Sequence, residues 1–197
     1  MPPLYFIRHG ETDWNKQGLI QGWTDTELNE RGHAQARALG AALAAIPGLA
    51  TEFRFIVSPL TRTRQTMEHI AGALSLDGSK VDIDPAVREL GFGVWEGKPI
   101  WQLKDSPLYP ADAESRYFWR PEGGESYEDG NSRIEGWFGA IDGPTVVVAH
   151  GAIGRCLIGY TADLGPAEVV ALKTPQGCYW KLENGQADWF DVNGDQA

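Results

Sequence analysis

The sequence predicts an α/β fold: a three-layer sandwich with a central, mostly parallel sheet flanked by helices. Three observations carry this expectation. Short apolar runs rich in β-branched and aromatic residues alternate with longer stretches of helical spacing. Glycine and proline punctuate most changes of pattern. One run, Thr145-Val146-Val147-Val148-Ala149, is apolar on both faces, as a buried parallel strand should be.

The elements follow in order. Leu4-Tyr5-Phe6-Ile7 reads as the first strand. A helix is expected to begin near Asn29, a favourable cap, with Leu39, Ala42, Leu43 and Ile46 on one face and Pro47-Gly48 as its stop. Arg54-Phe55-Ile56-Val57 is the second strand, broken by Ser58-Pro59. Met67, Ile70, Ala71 and Leu74 then mark the buried face of another helix. Val81 to Ile83 forms a short strand before Pro85. The stretch from Gly97 to Gly124 is irregular and holds Pro99, Pro107, Pro110 and Pro121. Its Trp101, Tyr109, Tyr117, Phe118 and Trp119 are too aromatic for a polar tether, so a lid-like insert is expected at about 98–125. Ser126 opens a capping box ahead of a helix with Ile134, Trp137, Phe138 and Ile141 facing inward. Near the end, Asn184-Gly185 between Tyr179–Leu182 and Trp189-Phe190 marks a tight hairpin.

The totals narrow the function classes. A chain of 197 residues, 42% hydrophobic and 22% charged, suits one domain over 1–197 that buries roughly 70% of its unfolded surface. No apolar run is long enough to suggest a membrane span, and no basic-then-apolar leader is visible. With Cys156 and Cys178 as the only cysteines, a reducing cytoplasm is the expected location. A net charge of -10 argues against nucleic acid as a partner. It does not argue against a small phosphorylated metabolite, because arginines gathered in one pocket outweigh a diffuse acidic surface. The hairpin edge is a candidate surface for a homodimer.

Chemistry is concentrated at predicted strand ends. Arg8-His9-Gly10 follows the first strand and His150-Gly151 follows the late one, and in an open α/β sheet adjacent strand ends form the ligand crevice. Ser58-Pro59-Leu60-Thr61-Arg62 puts a third strand end and a guanidinium in the first turn of a helix, where anions are favoured. The Gly-rich stretch Arg88–Gly97 brings a carboxylate. A nucleophilic imidazole, arginine forks, a second imidazole and an acid suffice to move a phosphoryl group without a metal or cofactor.

The segments RHGETDWN, QGWTDTELNERG, SPLTRTRQT, RELGFGVWEG, GGES and VVVAHG, in this order and spacing, resemble the histidine phosphatase superfamily, its phosphoglycerate-mutase-like branch. The resemblance implies that His9 becomes phosphorylated and that Arg8, Arg62 and His150 surround the transferred group. It implies that Asn15 adds a phosphate contact and that Glu89 serves as general acid and base. Glu11 and Thr12 complete the motif behind these groups. The resemblance also implies a metal-free, cofactor-free phosphatase acting on a small phosphomonoester. A mutase is the first alternative, set aside on the ground that no extra basic cluster is visible to retain a bisphosphate. A non-catalytic binder of phosphorylated ligands is the second. Ala152-Ile153-Gly154 departs from what often follows His-Gly in relatives, and the stretch after Ala162 matches nothing specific.

Other residues have plainer expectations. His33 and His69 are taken to face solvent and Arg64 to lie on the surface, while Glu96 serves a turn and Cys156 is packing. Arg88 and Arg133 either reach a second anion or pair with an acid. Trp14, Trp23, Trp95, Trp101 and Trp119 are core, or else a stacking wall beside the crevice.

Overall fold

The computed structural model describes residues 2–192; Met1 and residues 193–197 of the expected domain lie outside that range. A six-stranded sheet has the order β3-β2-β4-β1-β5-β6, with β1 Leu4–Arg8, β2 Arg54–Val57, β3 Val81–Ile83, β4 Thr145–Ala149, β5 Cys178–Glu183 and β6 Gln186–Asp191. Pairings β2–β3, β2–β4 and β1–β4 are parallel, whereas β1–β5 and β5–β6 are antiparallel. The helices are α1 Asp13–Gln17, α2 Glu30–Ala44, α3 Leu49–Glu52, α4 Thr61–Ala73, α5 Ile100–Lys104, α6 Ala113–Phe118, α7 Tyr127–Gly139, α8 Gly151–Thr161 and α9 Pro166–Ala171.

Alternation along the strands creates two cores. On β1, Leu4 and Phe6 face one side while Tyr5 and Ile7 face the other; on β4, Val147 and Ala149 oppose Val146 and Val148. Tyr5, Ile7, Val146 and Val148 pack with Leu39 and Leu43 of α2 and Met67 and Ile70 of α4. Leu4, Phe6 and Val147 pack with Ile134 and Trp137 of α7 and Ile153 and Leu157 of α8. This is the predicted three-layer sandwich.

Local chemistry explains most boundaries. Asn29 caps α2 by accepting from the Gly32 N–H, and Ser126 and Asp129 form a reciprocal capping box on α7. Asn184 and Gly185 both have positive φ, at 52° and 79°, the geometry that a two-residue hairpin turn demands. Trp180 therefore faces Trp189 across β5–β6. Helix α2 ends at Ala44, three residues before Pro47, and Ile46 packs against the core from beyond the helix.

His33 and His69 are half-buried, and they meet between α2 and α4, with Nδ1 of His33 3.0 Å from Nε2 of His69. One expectation needs correction. The tryptophans form neither the core nor one wall. Trp23 and Trp101 are exposed, Lys98 lies over the ring of Trp95, and Trp14 packs beneath Gly97. Of this group only Trp119 lines the cavity described below. Among the described residues, no helix is long and apolar enough to cross a membrane.

Candidate active site

The parallel register β2–β4–β1 brings three strand ends side by side. The His9 N–H donates to the Ala149 carbonyl (3.1 Å) and the Ser58 N–H to the Val148 carbonyl (3.1 Å), so Arg8-His9, Ser58 and His150 emerge together. Above them lies a cavity of about 500 Å³ whose walls include Arg8, His9, Asn15, Arg62, Glu89 and Gly151.

Each of these groups is tied from behind, which fixes what it presents. Nδ1–H of His9 donates to its neighbour's carbonyl, Gly10 O, at 2.7 Å, leaving the Nε2 lone pair for the cavity. Gly10 leaves no room for a Cβ, which would collide with the backbone of Gly32, and its N–H donates to Thr66 Oγ1 (3.1 Å). Burial, with Arg62 and Arg8 adding like charge, holds the pKa of His9 well below the usual histidine value. The neutral imidazole is the form that can act as a nucleophile.

Arg62 is wholly buried. Its NH1 and NH2 donate to the carbonyls of Thr24 (2.9 Å) and Gly22 (2.8 Å), and Nε donates to His150 Nδ1 (3.3 Å). Burial lowers its pKa to about 10, against the pull of Glu89 and Asp25, so it stays a cation at neutral pH. Because His150 Nδ1 accepts, its Nε2–H is the donor to Ser58 Oγ at 2.7 Å. The rings of His9 and His150 lie 5.3 Å apart between centroids. His150 is fully buried and both its nitrogens are engaged, so in this arrangement it stands behind Arg62 as a brace.

Arg8 donates NH1 to the Thr174 carbonyl (2.8 Å), while its buried Nε has no protein partner. Asn15 Oδ1 accepts from the Thr12 N–H (3.1 Å) and from Gln176 Nε2 (2.9 Å), so its amide NH₂ is the end left for a ligand. Glu89 reaches the first turn of α8, where its carboxylate accepts from the N–H groups of Ala152 (3.1 Å) and Ile153 (3.0 Å). Arginine donors, an amide, a neutral imidazole and a carboxylate thus face one cavity, a set suited to a tetrahedral oxyanion.

A family profile described as "Histidine phosphatase superfamily (branch 1)" matches residues 4–192. The chain belongs to that superfamily. Among similar curated proteins, the 2,3-bisphosphoglycerate-dependent phosphoglycerate mutase of Mesorhizobium japonicum is 33% identical over 187 residues, covering 88% of each chain. That of Beijerinckia indica is 32% identical over 187 residues, covering 88% of this chain and 87% of its own. Among solved structures, a mycobacterial glucosyl-3-phosphoglycerate phosphatase in complex with VO3 has a TM-score of 0.79 at 27% identity, covering 96% of both chains. The alpha-ribazole phosphatase of Shigella flexneri has a TM-score of 0.77 at 26% identity, covering 94% of this chain and 93% of its own.

The structure of this histidine phosphatase superfamily member also shows what sequence reading missed. Thr174 and Gln176, from the stretch that matched nothing, brace Arg8 and Asn15, and Thr174 Oγ1 also donates to Gly151 O (3.1 Å). Glu96 does more than serve a turn. Its carboxylate accepts from the N–H groups of Trp23 (2.9 Å), Thr24 (2.9 Å) and Phe92 (3.1 Å) and from the Thr24 hydroxyl (2.6 Å). It thereby joins the loop that holds Arg62 to the loop that carries Glu89, and Trp23 Nε1 donates to the Glu89 carbonyl (2.8 Å). Arg133 pairs with Glu125 at 2.8 Å, whereas Arg88 stacks over Trp23 at 3.9 Å, neither alternative foreseen for it.

The expectation of no further basic cluster is corrected. Lys104, Arg116 and Arg155 line the far end of the same cavity, together with Tyr109, Trp119 and Tyr127. They come from α5, α6 and α8, so no sequence run announces them.

Proposed function

We propose that this chain is a phosphatase that hydrolyses a small phosphomonoester through a phosphohistidine on His9, with Glu89 as general acid and then base. In the first step Nε2 of His9 forms a bond to phosphorus while the phosphorus–oxygen ester bond breaks, and Glu89 gives its proton to the leaving alcohol oxygen. In the second, water loses a proton to Glu89 and bonds to phosphorus as the nitrogen–phosphorus bond breaks, releasing phosphate. Arg8, Arg62 and Asn15 hold the phosphoryl oxygens throughout, and His150 keeps Arg62 in place. The route uses no metal or cofactor.

The observation that carries this reading is the tautomer of His9: its proton is committed to Gly10 O, so the free lone pair lies in the arginine-walled cavity with Glu89. Superfamily membership supports the phosphoryl chemistry, and the phosphatase names of similar solved structures support hydrolysis. A mutase is the second reading, favoured by the names of the curated relatives and by the far-end cations. Hydrolysis is preferred on the phosphatase names of the similar solved structures, which match nearly the whole chain.

The test is incubation with 3-phosphoglycerate and a panel of other phosphomonoesters, including p-nitrophenyl phosphate, measuring free phosphate and 2-phosphoglycerate. Phosphate release is expected, with a loss of about 10³-fold or more in His9→Ala. Isomerisation with little free phosphate would establish the mutase reading instead. Binding without turnover across the panel would leave the non-catalytic one.

A further inference from the structure

Arg62 and Glu89 reach the cavity from different parts of the chain, one on α4 and the other in the segment 88–97. Displacement at one phosphorus needs both at fixed places around it. The supports of the two meet at Glu96. The peptide unit between Gly22 and Trp23 is engaged at both ends: its C=O accepts from Arg62 NH2 (2.8 Å) and its N–H donates to Glu96 Oε1 (2.9 Å). A guanidinium at one end and a carboxylate at the other polarise that peptide in the same sense, which strengthens both bonds. The next turn repeats the arrangement. Thr24 gives its N–H (2.9 Å) and hydroxyl (2.6 Å) to Glu96 Oε2, while its carbonyl accepts from Arg62 NH1 (2.9 Å).

The same carboxylate grips the other loop. Glu96 Oε1 also accepts from the Phe92 N–H (3.1 Å), and Trp23 Nε1 donates to the carbonyl of Glu89 itself (2.8 Å). The Trp23 ring lies against Gly91, with the Arg88 guanidinium over its face at 3.9 Å. A Cβ at Gly91 would collide with that ring, and one at Gly22 with the Glu96 carboxylate, so both loops are shaped to let the clasp close. Burial tends to raise the pKa of Glu96, but the bonds from Thr24, Trp23 and Phe92 outweigh it and hold the pKa below the usual carboxylate value. At neutral pH the clasp is therefore an anion that only accepts. Glu96 lies outside the cavity wall and has no route to the substrate except through these loops.

We propose that Glu96 is a positioning residue for the reaction: by gripping the loop behind Arg62 and the loop that carries Glu89, it fixes the acid relative to the phosphoryl oxygens. This rests on the reading that Glu89 protonates the leaving group. Without the clasp, Arg62 and Glu89 each keep their other bonds, but the spacing between them is no longer set. The loss then falls most heavily on the ester whose leaving oxygen most needs a proton. A general loss of folded protein would lower turnover of all esters alike.

The test compares phenyl phosphate with p-nitrophenyl phosphate, two esters of similar shape, of which the first has the leaving oxygen that needs the proton more. Values of kcat/KM, which report transfer to His9, are taken well below the Tm of each variant. Glu89→Gln sets the reference and should lower kcat/KM about tenfold more on phenyl phosphate than on p-nitrophenyl phosphate. Glu96→Gln keeps the shape but turns an NH₂ donor against the donors of Thr24 or of Trp23 and Phe92. It should lower kcat on phenyl phosphate by about 10- to 100-fold, shift the ratio in the same direction as Glu89→Gln, and change KM by less than about threefold. Trp23→Phe keeps a ring on Gly91 and loses the bond to the Glu89 carbonyl, so it should move the ratio the same way by a smaller factor. Trp23 is exposed, and should Glu96→Gln fail to fold, this second variant decides alone. Equal losses on the two esters in Glu96→Gln, with the reference shift present, overturn the positioning role and leave the acid reading standing. An unmoved ratio in Glu89→Gln, or no turnover by the unsubstituted chain, overturns both.

Discussion

The two ends of the cavity are built differently. At the near end, the polar side chains that leave the parallel-strand ends are anchored to backbone carbonyls of the loops around them: His9 to Gly10 O, Arg62 to Gly22 O and Thr24 O, Arg8 to Thr174 O. At the far end, Lys104 is exposed, and Arg116 hangs on carbonyls of its own segment, in a helix of six residues. The near end is preorganised by bonds to several different segments, whereas, among the described residues, Arg116 and Lys104 are held only locally or not at all. Chemistry needs fixed geometry at the reacting atoms, whereas recognition of the rest of a ligand tolerates adjustment. The contrast predicts that near-end substitutions act on kcat and far-end ones on KM.

The sharpest way to break that contrast is to compare Arg62→Met with Arg116→Met. Removing the Arg62 guanidinium withdraws a phosphate donor and leaves Gly22 O, Thr24 O and His150 Nδ1 without theirs. A kcat loss on the order of 10²–10³-fold is expected from the missing donor. A stability loss of about 3 kcal/mol is expected from the stranded acceptors. Arg116→Met should raise KM by less than about tenfold and change kcat less than it changes KM. Should the two variants lower kcat equally in steady-state assays, the division between the ends fails.

How much of this was legible in the sequence follows the same division. Arg8-His9, Ser58–Arg62 and His150-Gly151 could be read because each is a short motif at a strand end, and parallel register alone brings strand ends together. Glu89 needed the resemblance, since nothing in a Gly-rich turn says which carboxylate faces the cavity and which, like Glu96, ties loops. Arg155, Arg116 and Lys104 were illegible because each is a single residue whose meaning depends on tertiary placement. Helices α5 and α6, of five and six residues, are too short to show a helical period. Gly154, an apparent departure beside His150, has a packing reason: a Cβ there would overlap the ring of Phe6, which fills the space between β1 and α8.

Burial at the near end also gives a pH signature. Desolvation, reinforced by Arg62, holds both His9 and His150 well below the usual value of 6.5. Below about pH 6.5 the unfolded chain therefore binds protons that the folded one refuses. Stability falls as pH drops through that point, by up to about 1.4 kcal/mol per pH unit for each histidine, until the folded pKa is reached. His69, lowered by burial against its neighbour His33, adds in the same direction. Thermal melts between pH 7.5 and 5.5 should show a falling Tm, and His9→Asn should flatten the slope by roughly one histidine's share. In the same window kcat/KM should not show an acid limb near 6.5, because His9 is still unprotonated there. A limb at that value, lost in no other variant, would mean the imidazole is wetter than the cavity geometry implies.

The smallest expected effect sharpens the comparison most, because it concerns a residue that never touches the ligand. Gln176 Nε2 donates to Asn15 Oδ1 at 2.9 Å, and with the Thr12 N–H it fixes which end of the Asn15 amide faces the cavity. Gln176→Ala removes one neutral hydrogen bond on a partly buried pair, worth about 1 kcal/mol. The Thr12 N–H still holds Asn15 Oδ1 at 3.1 Å, so the amide loosens rather than turns over. A fall in kcat/KM of about three- to tenfold is expected, with Tm shifted by only a few degrees. Gln176→Glu keeps the shape but offers Asn15 Oδ1 an acceptor where it had a donor, and it adds negative charge beside an oxyanion site. It should therefore be the worse of the two, although it is closer in shape to the original side chain. The opposite order in steady-state kinetics would show that Gln176 merely fills space, and that the bracing which distinguishes the near end does not extend to Asn15.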